Sequence, residues 1–242
     1  MKTALFPLFS ILFVTTLWAG TPKIIEYEAS YLGVPLLDMT LTWRETDSTV
    51  SISYDNKLKP FIAFFHSIHN IYQVEFYQHT YAPIRWSKEI AEGSKRFVLS
   101  AERPGQGLKV SYSNNEQRLM PPDGFTVFSA THFLASKAKD AEFFPITIKV
   151  LIDGEIWEAD VSRYTQQKPH ADHDISSETT LIQADLHYLE GKRVMKENDI
   201  LMDVIASEGT RFLLWVAPDG HYTKAQFGEF PKAVVLNQLT RE

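Results

Sequence analysis

Residues 24–43 read "IIEYEASYLGVPLLDMTLTW", and their polarity alternates with a period of two. Ile25, Tyr27, Ala29 and Tyr31 fall in one phase against Glu26, Glu28 and Ser30; beyond "LGVP", Leu37, Met39, Leu41 and Trp43 stand against Asp38, Thr40 and Thr42. Successive side chains of a strand point to opposite faces, so this pattern predicts two antiparallel strands, each with one face buried, joined at a turn. "VSISY" at 50–54 continues it with Val50, Ile52 and Tyr54.

The same grammar returns later. "FPITIKVLIDGEIWEADV", 144–161, predicts a hairpin turning at Asp153-Gly154, a dipeptide that supplies the positive φ angles of a tight turn. "TTLIQADLHYL" sets Ile182, Ala184, Leu186 and Tyr188 on one face, "RFLLWVAPDGHYTKAQF" predicts a second hairpin through Pro218-Asp219-Gly220, and "AVVLNQL" adds a last strand. Eleven to thirteen strands are expected in all.

Two segments break the alternation. "KPFIAFFHSIHN" starts a helix at Pro60 and places Phe61, Phe64, Phe65 and Ile68 at i, i+3, i+4 and i+7, an apolar helical stripe. "DGFTVFSATHFLASKAKD" carries Val127, Ala130 and Leu134 at helical spacing. The expected fold is mainly β, a curved antiparallel sheet or half-open β-barrel with one or two short helices packed on the concave face, where strand faces and stripe are buried together.

The first twenty residues read differently. Met1-Lys2 followed by the uncharged run "ALFPLFSILFVTTLWA", 4–19, and small residues is the pattern of a secretory signal peptide, 1–20, cleaved to leave a single β-rich domain over 21–242. No other apolar run approaches the length of a membrane span, so no transmembrane segment is expected after cleavage. Export to the periplasm is the localisation this implies. Cysteine is absent, which leaves no thiolate metal site, disulfide or lipid-acceptor thiol. A formal charge of −6 argues against a nucleic-acid partner and against attraction to anionic lipid surfaces.

Chemistry-bearing strings are few. "KPHADHDISSE", 168–178, gathers His170, Asp172, His173 and Asp174, which could ligate a divalent ion; the same residues suit a solvated loop between strands. His66 and His69 form an i, i+3 pair beside the phenylalanine stripe, without the glutamate and i, i+4 spacing of a zinc-protease helix. Ser129 precedes His132 without the context of an activated nucleophile. No cofactor is indicated.

The aromatic load is high, 16 Phe, 10 Tyr and 5 Trp, with many at inward strand positions. Such residues fill a β core, and they also wall apolar ligand cavities. If the interior is hollow, Phe61, Phe64, Phe65, Ile68, Trp43 and Trp215 are the expected ligand-binding residues.

"EYEASYLGVPLLDMTLTW", "IYQVEFYQHTYAPIRWSKEIAEGSKR" (71–96), "FPITIKVLIDGEIWEADV" and "FLLWVAPDGHYTKAQF" (212–227) resemble the bacterial exported family known as domain of unknown function 3108. That resemblance implies envelope association and carries over no catalytic residues. It also implies a likeness to the half-barrels of periplasmic lipoprotein carriers, in which short helices plug a curved sheet. The functional expectation is a non-enzymatic periplasmic protein that binds a lipid, an acyl chain or an envelope protein partner in cell-envelope maintenance. Two alternatives stand beside it: a metal-dependent hydrolase built on His170 and His173, and a protein-interaction scaffold.

Overall fold

The computed structural model describes residues 21–63, 67–105, 107–164, 179–195, 199–229 and 233–239. The first half comprises β1 (Lys23–Tyr31), β2 (Val34–Glu45), β3 (Thr49–Leu58), α1 (Pro60–Ala63), β4 (His69–Tyr77), β5 (Pro83–Glu92) and β6 (Lys95–Glu102). Three short strands follow, β7 (Lys109–Tyr112), β8 (Gln117–Leu119) and β9 (Phe125–Thr126), and then α2 (Val127–Lys137). The second half holds β10 (Ile146–Ile152), β11 (Glu155–Tyr164), β12 (Thr180–Gly191), α3 (Ile200–Ile205), β13 (Arg211–Val216), β14 (Tyr222–Phe227) and β15 (Val234–Gln238).

All fifteen strands join one sheet, mostly antiparallel, in the order β8-β7-β6-β5-β4-β3-β2-β1-β15-β14-β13-β12-β11-β10-β9. Each half is a run of neighbouring strands, and β1 pairs with β15 to fuse them, with Ala29 opposite Leu236. The alternation read from the sequence is the burial observed: Ile25, Tyr27 and Ala29 on β1, Met39 and Leu41 on β2, and Val50, Ile52 and Tyr54 on β3 are all buried. Tyr188 keeps the phase of Ile182, Ala184 and Leu186 without being buried. It still pairs with the core residue Trp157 and stands edge-on to it, but just before a register shift in the ladder it is 46% exposed.

The sheet curls until its flanks meet, and side chains bridge the seam. Leu99, Val110 and Tyr112 pack with Leu151, Ile156 and Val194 in a second apolar cluster, apart from the main core. Asn114 Nδ2 donates to the Val194 carbonyl at 2.7 Å, and Arg118 Nε to that of Lys192 at 3.2 Å. The β10–β11 turn is the expected one, with φ of 49° at Asp153 and 97° at Gly154. A Cβ on Gly154 would sit 2.7 Å from Val194 Cγ1 and 2.8 Å from the Lys192 carbonyl, so the seam demands glycine here twice over.

The helices are redistributed relative to the sequence reading. Of the helix expected over 60–69, Pro60–Ala63 are helical and 64–66 lie outside the described residues, while Ile68 forms an isolated bridge with Glu92 and His69 opens β4 opposite Lys57. The reason is a competing period: Asn70, Tyr72, Val74 and Phe76 alternate, and pairing with β3 and β5 buries all four. The helix that fills the concave side is α2. Thr126 caps it, its Oγ1 accepting from Ser129 N at 3.2 Å while its own N donates to Ser129 Oγ at 3.0 Å. Ser129, Ala130, Thr131, His132, Leu134 and Ala135 are buried, as befits a helix enclosed on several sides. No helix among the described residues is long and apolar enough to cross a membrane.

Candidate functional site: two cavities beside the plug helix

Helix α2 divides the interior. Phe128 stacks on Tyr54 with ring centroids 4.6 Å apart and tilts against Tyr72 at 5.3 Å; His132 stands edge-on to Trp43 at 4.8 Å. Tyr54 Oη and His132 Nε2 are hydrogen-bonded at 2.7 Å, and Tyr27 Oη donates to the Tyr222 carbonyl at 3.0 Å. These groups form a buried wall. Burial pushes the phenols of Tyr27, Tyr54 and Tyr222 up, and it lowers the His132 imidazole to about 3, with His221 adding to the effect. A neutral histidine held by a neutral tyrosine is what a dry interior favours.

On one side of this wall lies an apolar cavity of about 100 Å³, where roughly 10–15 Å³ in the same kind of measure houses one water. Its floor is a row of neighbours across four strands: Leu37 on β2 faces Ala29 on β1, which faces Leu236 on β15, which faces Ala225 on β14. The two alanines flank a leucine, and the space they leave is roofed by Val127, Phe128 and Thr131 of α2 and by Leu201 and Ile205 of α3. Ile68 and the half-exposed Ile200 also line it.

One end of this cavity is polar. Asn56, Asn70 and Glu92, all buried, line it together with Tyr72. Asn70 Nδ2 donates to Glu92 Oε1 at 2.7 Å, Ile200 N donates to the same oxygen at 3.2 Å, and Asn56 Nδ2 donates to the Asn70 carbonyl. Behind Tyr72 sits a buried charge cluster: Tyr72 Oη donates to Asp199 Oδ1 at 2.7 Å, and Lys88 Nζ contacts Asp199 Oδ2 at 3.0 Å and Asp153 Oδ2. Asp199 also caps α3, accepting from Met202 N at 2.9 Å. Burial raises the Asp153 carboxyl, an effect that Lys88 opposes; burial and Asp199 raise the Tyr72 phenol.

The second cavity, about 600 Å³, opens at the other end of α2. Trp43, Tyr81 and His132 line it with Lys23, His221 and Asp219, so its walls mix aromatic and charged groups. Lys23 Nζ and His221 Nε2 are 2.6 Å apart across its rim.

The residues expected to bind a ligand are not gathered in one place. Ile68 lines the apolar cavity and Trp43 the larger one. Phe61 is 64% exposed and lines neither. Trp215 belongs to the opposite face of β13 from the core residue Leu214, beneath Lys224 Nζ at 4.6 Å, and lines neither of these two cavities; strand alternation puts it there. Phe64, Phe65 and His66 lie outside the described residues, as do His170, Asp172, His173 and Asp174. His69 is on a strand, its Nε2 2.9 Å from Asp55 Oδ1, and Ser129 bonds Thr126 within the helix cap. Among the described residues no three metal-ligating side chains converge.

Lys88, Glu92, Asn56 and Asn70 did not stand out in the sequence, although a signal was there. Each falls in the apolar phase of its strand, Lys88 and Glu92 with Ile90, Asn56 with Tyr54, Asn70 with Tyr72. A polar residue in the inward phase is costly unless it is paired, so such a residue points to a built polar site.

This architecture has a solved counterpart. A crystal structure of a β-barrel-like protein of the domain of unknown function DUF1849 from Brucella abortus matches with a TM-score of 0.52, covering 90% of this chain and 96% of that one. The fold is β-barrel-like. At 10% identity the likeness is one of fold alone. No protein-family profile matches the chain, and no curated protein does.

Proposed function

We propose that this chain is an exported, non-enzymatic envelope protein whose barrel-like interior takes up an apolar ligand, a lipid or acyl chain, beside α2. The observation that carries this reading is the cavity over Ala29, Leu236 and Ala225, roofed by two helices and almost wholly apolar in its lining. Apolar pockets with a few convergent polar groups are where ligands bind. The signal-like run at 4–19 supports the periplasmic setting. A protein partner is supported by the exposed Val98, Leu108 and Leu119 around edge strand β8, where an added strand could pair.

Ala29→Leu puts a larger side chain into the cavity floor between Leu37 and Leu236. Uptake of N-phenyl-1-naphthylamine, followed by its fluorescence, should weaken at least about tenfold, the equivalent of about 1.4 kcal/mol. Overpacking limits the stability loss to about 1–3 kcal/mol. Unchanged uptake by a folded variant would remove this cavity as the binding site.

A further inference from the structure

We infer that the apolar cavity selects amphiphiles whose polar end donates hydrogen bonds, a hydroxyl or an ammonium, and rejects those ending in a carboxylate. This rests on the apolar-ligand reading and specifies the head group. Among the described residues, Glu92 is the sole charged one in the cavity lining, and its side chain is 4% exposed. Its Oε1 is already occupied by Asn70 Nδ2 and Ile200 N, while its Oε2 stands 3.8 Å from Lys95 Nζ, beyond hydrogen-bond distance. A donor arriving at Oε2 therefore meets a buried acceptor with capacity to spare.

The surroundings reinforce the sign. Behind Tyr72, Asp153 and Asp199 face Lys88, with Arg193 acting on Asp153, so the carboxylates there hold the nearby cations away from Glu92. The opposing cation is Lys95, whose side chain is 35% exposed and therefore screened by solvent. A ligand carboxylate placed beside Glu92 would set two like charges together in a poorly solvated site, where repulsion is strong. Glu92 also bridges to Ile68 at the rim and accepts from Ile200, so the polar end lies by the opening and an apolar tail would run inward over Ala29 and Leu236.

The test uses the folded chain over 21–242 at pH 7, with decylamine, decanol and decanoate competing against N-phenyl-1-naphthylamine. Decylamine and decanol should displace the probe at least about tenfold more effectively than decanoate. In Glu92→Gln, which keeps an oxygen for Asn70 and Ile200, the preference for decylamine over decanoate should shrink by a similar factor, while decanol changes little. Equal or tighter binding of decanoate would overturn the head-group inference and leave the apolar-ligand reading standing. No displacement by any of the three, with no probe uptake, would overturn both. If Glu92→Gln does not fold, the wild-type series decides by itself: decylamine and decanol displacing the probe no better than decanoate would overturn the inference.

Discussion

Lys88→Met should lower the free energy of unfolding by about 3–5 kcal/mol, the range for breaking a buried ion pair from one side. The Lys88 side chain is 7% exposed and faces Asp199, which is 0% exposed, and Asp153, at 15%. Methionine can occupy the lysine stem's path over the Phe97 ring, 5.5 Å from Nζ, so packing is largely kept and the charge is what is lost. Asp199 and Asp153 would then lose the ammonium that stands between them. The consequence reaches beyond one strand, because Lys88 belongs to β5, Asp153 to the β10–β11 turn and Asp199 to the cap of α3. These elements belong to opposite flanks of the sheet, and the ion cluster is the clasp of the seam. Urea unfolding followed by tryptophan fluorescence reads the effect. Adding Asp153→Asn and Asp199→Asn to Lys88→Met should restore part of the loss; a single-variant loss below about 1 kcal/mol would mean that the apolar seam cluster closes the barrel unaided.

The second large effect is an acid sensitivity carried by His132. Its folded-state pKa is lowered from 6.5 to about 3, so between these values the unfolded chain binds a proton that the folded chain refuses. Stability from this group is fully present above pH 6.5 and drains away as the pH falls toward 3, at up to about 1.4 kcal/mol per pH unit. Tyr54, Tyr222, Trp43 and Phe76 pack around the ring, and His221 is the nearby group whose positive charge would add to the penalty. His132→Gln keeps a partner for Tyr54 and cannot titrate. From pH 6.5 to 4.5 the wild type should lose about 2 kcal/mol more than His132→Gln. The comparison cancels Asp153, whose raised pKa acts with the opposite sign on acidification. Parallel pH profiles would show that His132 is solvated and that the wall between the cavities is open.

Much of the fold was legible in residues 24–43 and their later echoes because strands buried on one face must alternate, and because Asp153-Gly154 supplies the angles its turn needs. Sheet order was not legible. Nothing local in β1 names β15 as its neighbour, and Tyr27 reaches Tyr222 across 195 residues of sequence. After Pro60 two periods overlap: Phe61 to Ile68 fit a helical stripe, yet Ile68 to Phe76 also fit a strand, and long-range pairing makes the strand from His69. The weaker stripe at Val127, Ala130 and Leu134 proved to be the interior helix, secured by a cap and by enclosure. The polar end of the cavity escaped notice for a different reason. Lys88, Glu92, Asn56 and Asn70 look like surface residues one at a time and become informative only when their strand phase is counted.

The proposed occupant of the space beside α2 is an apolar guest. Native mass spectrometry of the chain exported to a bacterial periplasm and purified without detergent or chelator tests it most directly. A mass excess matching a lipid or another long-chain amphiphile, lost on organic extraction and reduced in Ala29→Leu, is the expected result. A bare mass that also fails to take up N-phenyl-1-naphthylamine, or an excess matching a single divalent ion removed by chelator, would contradict it.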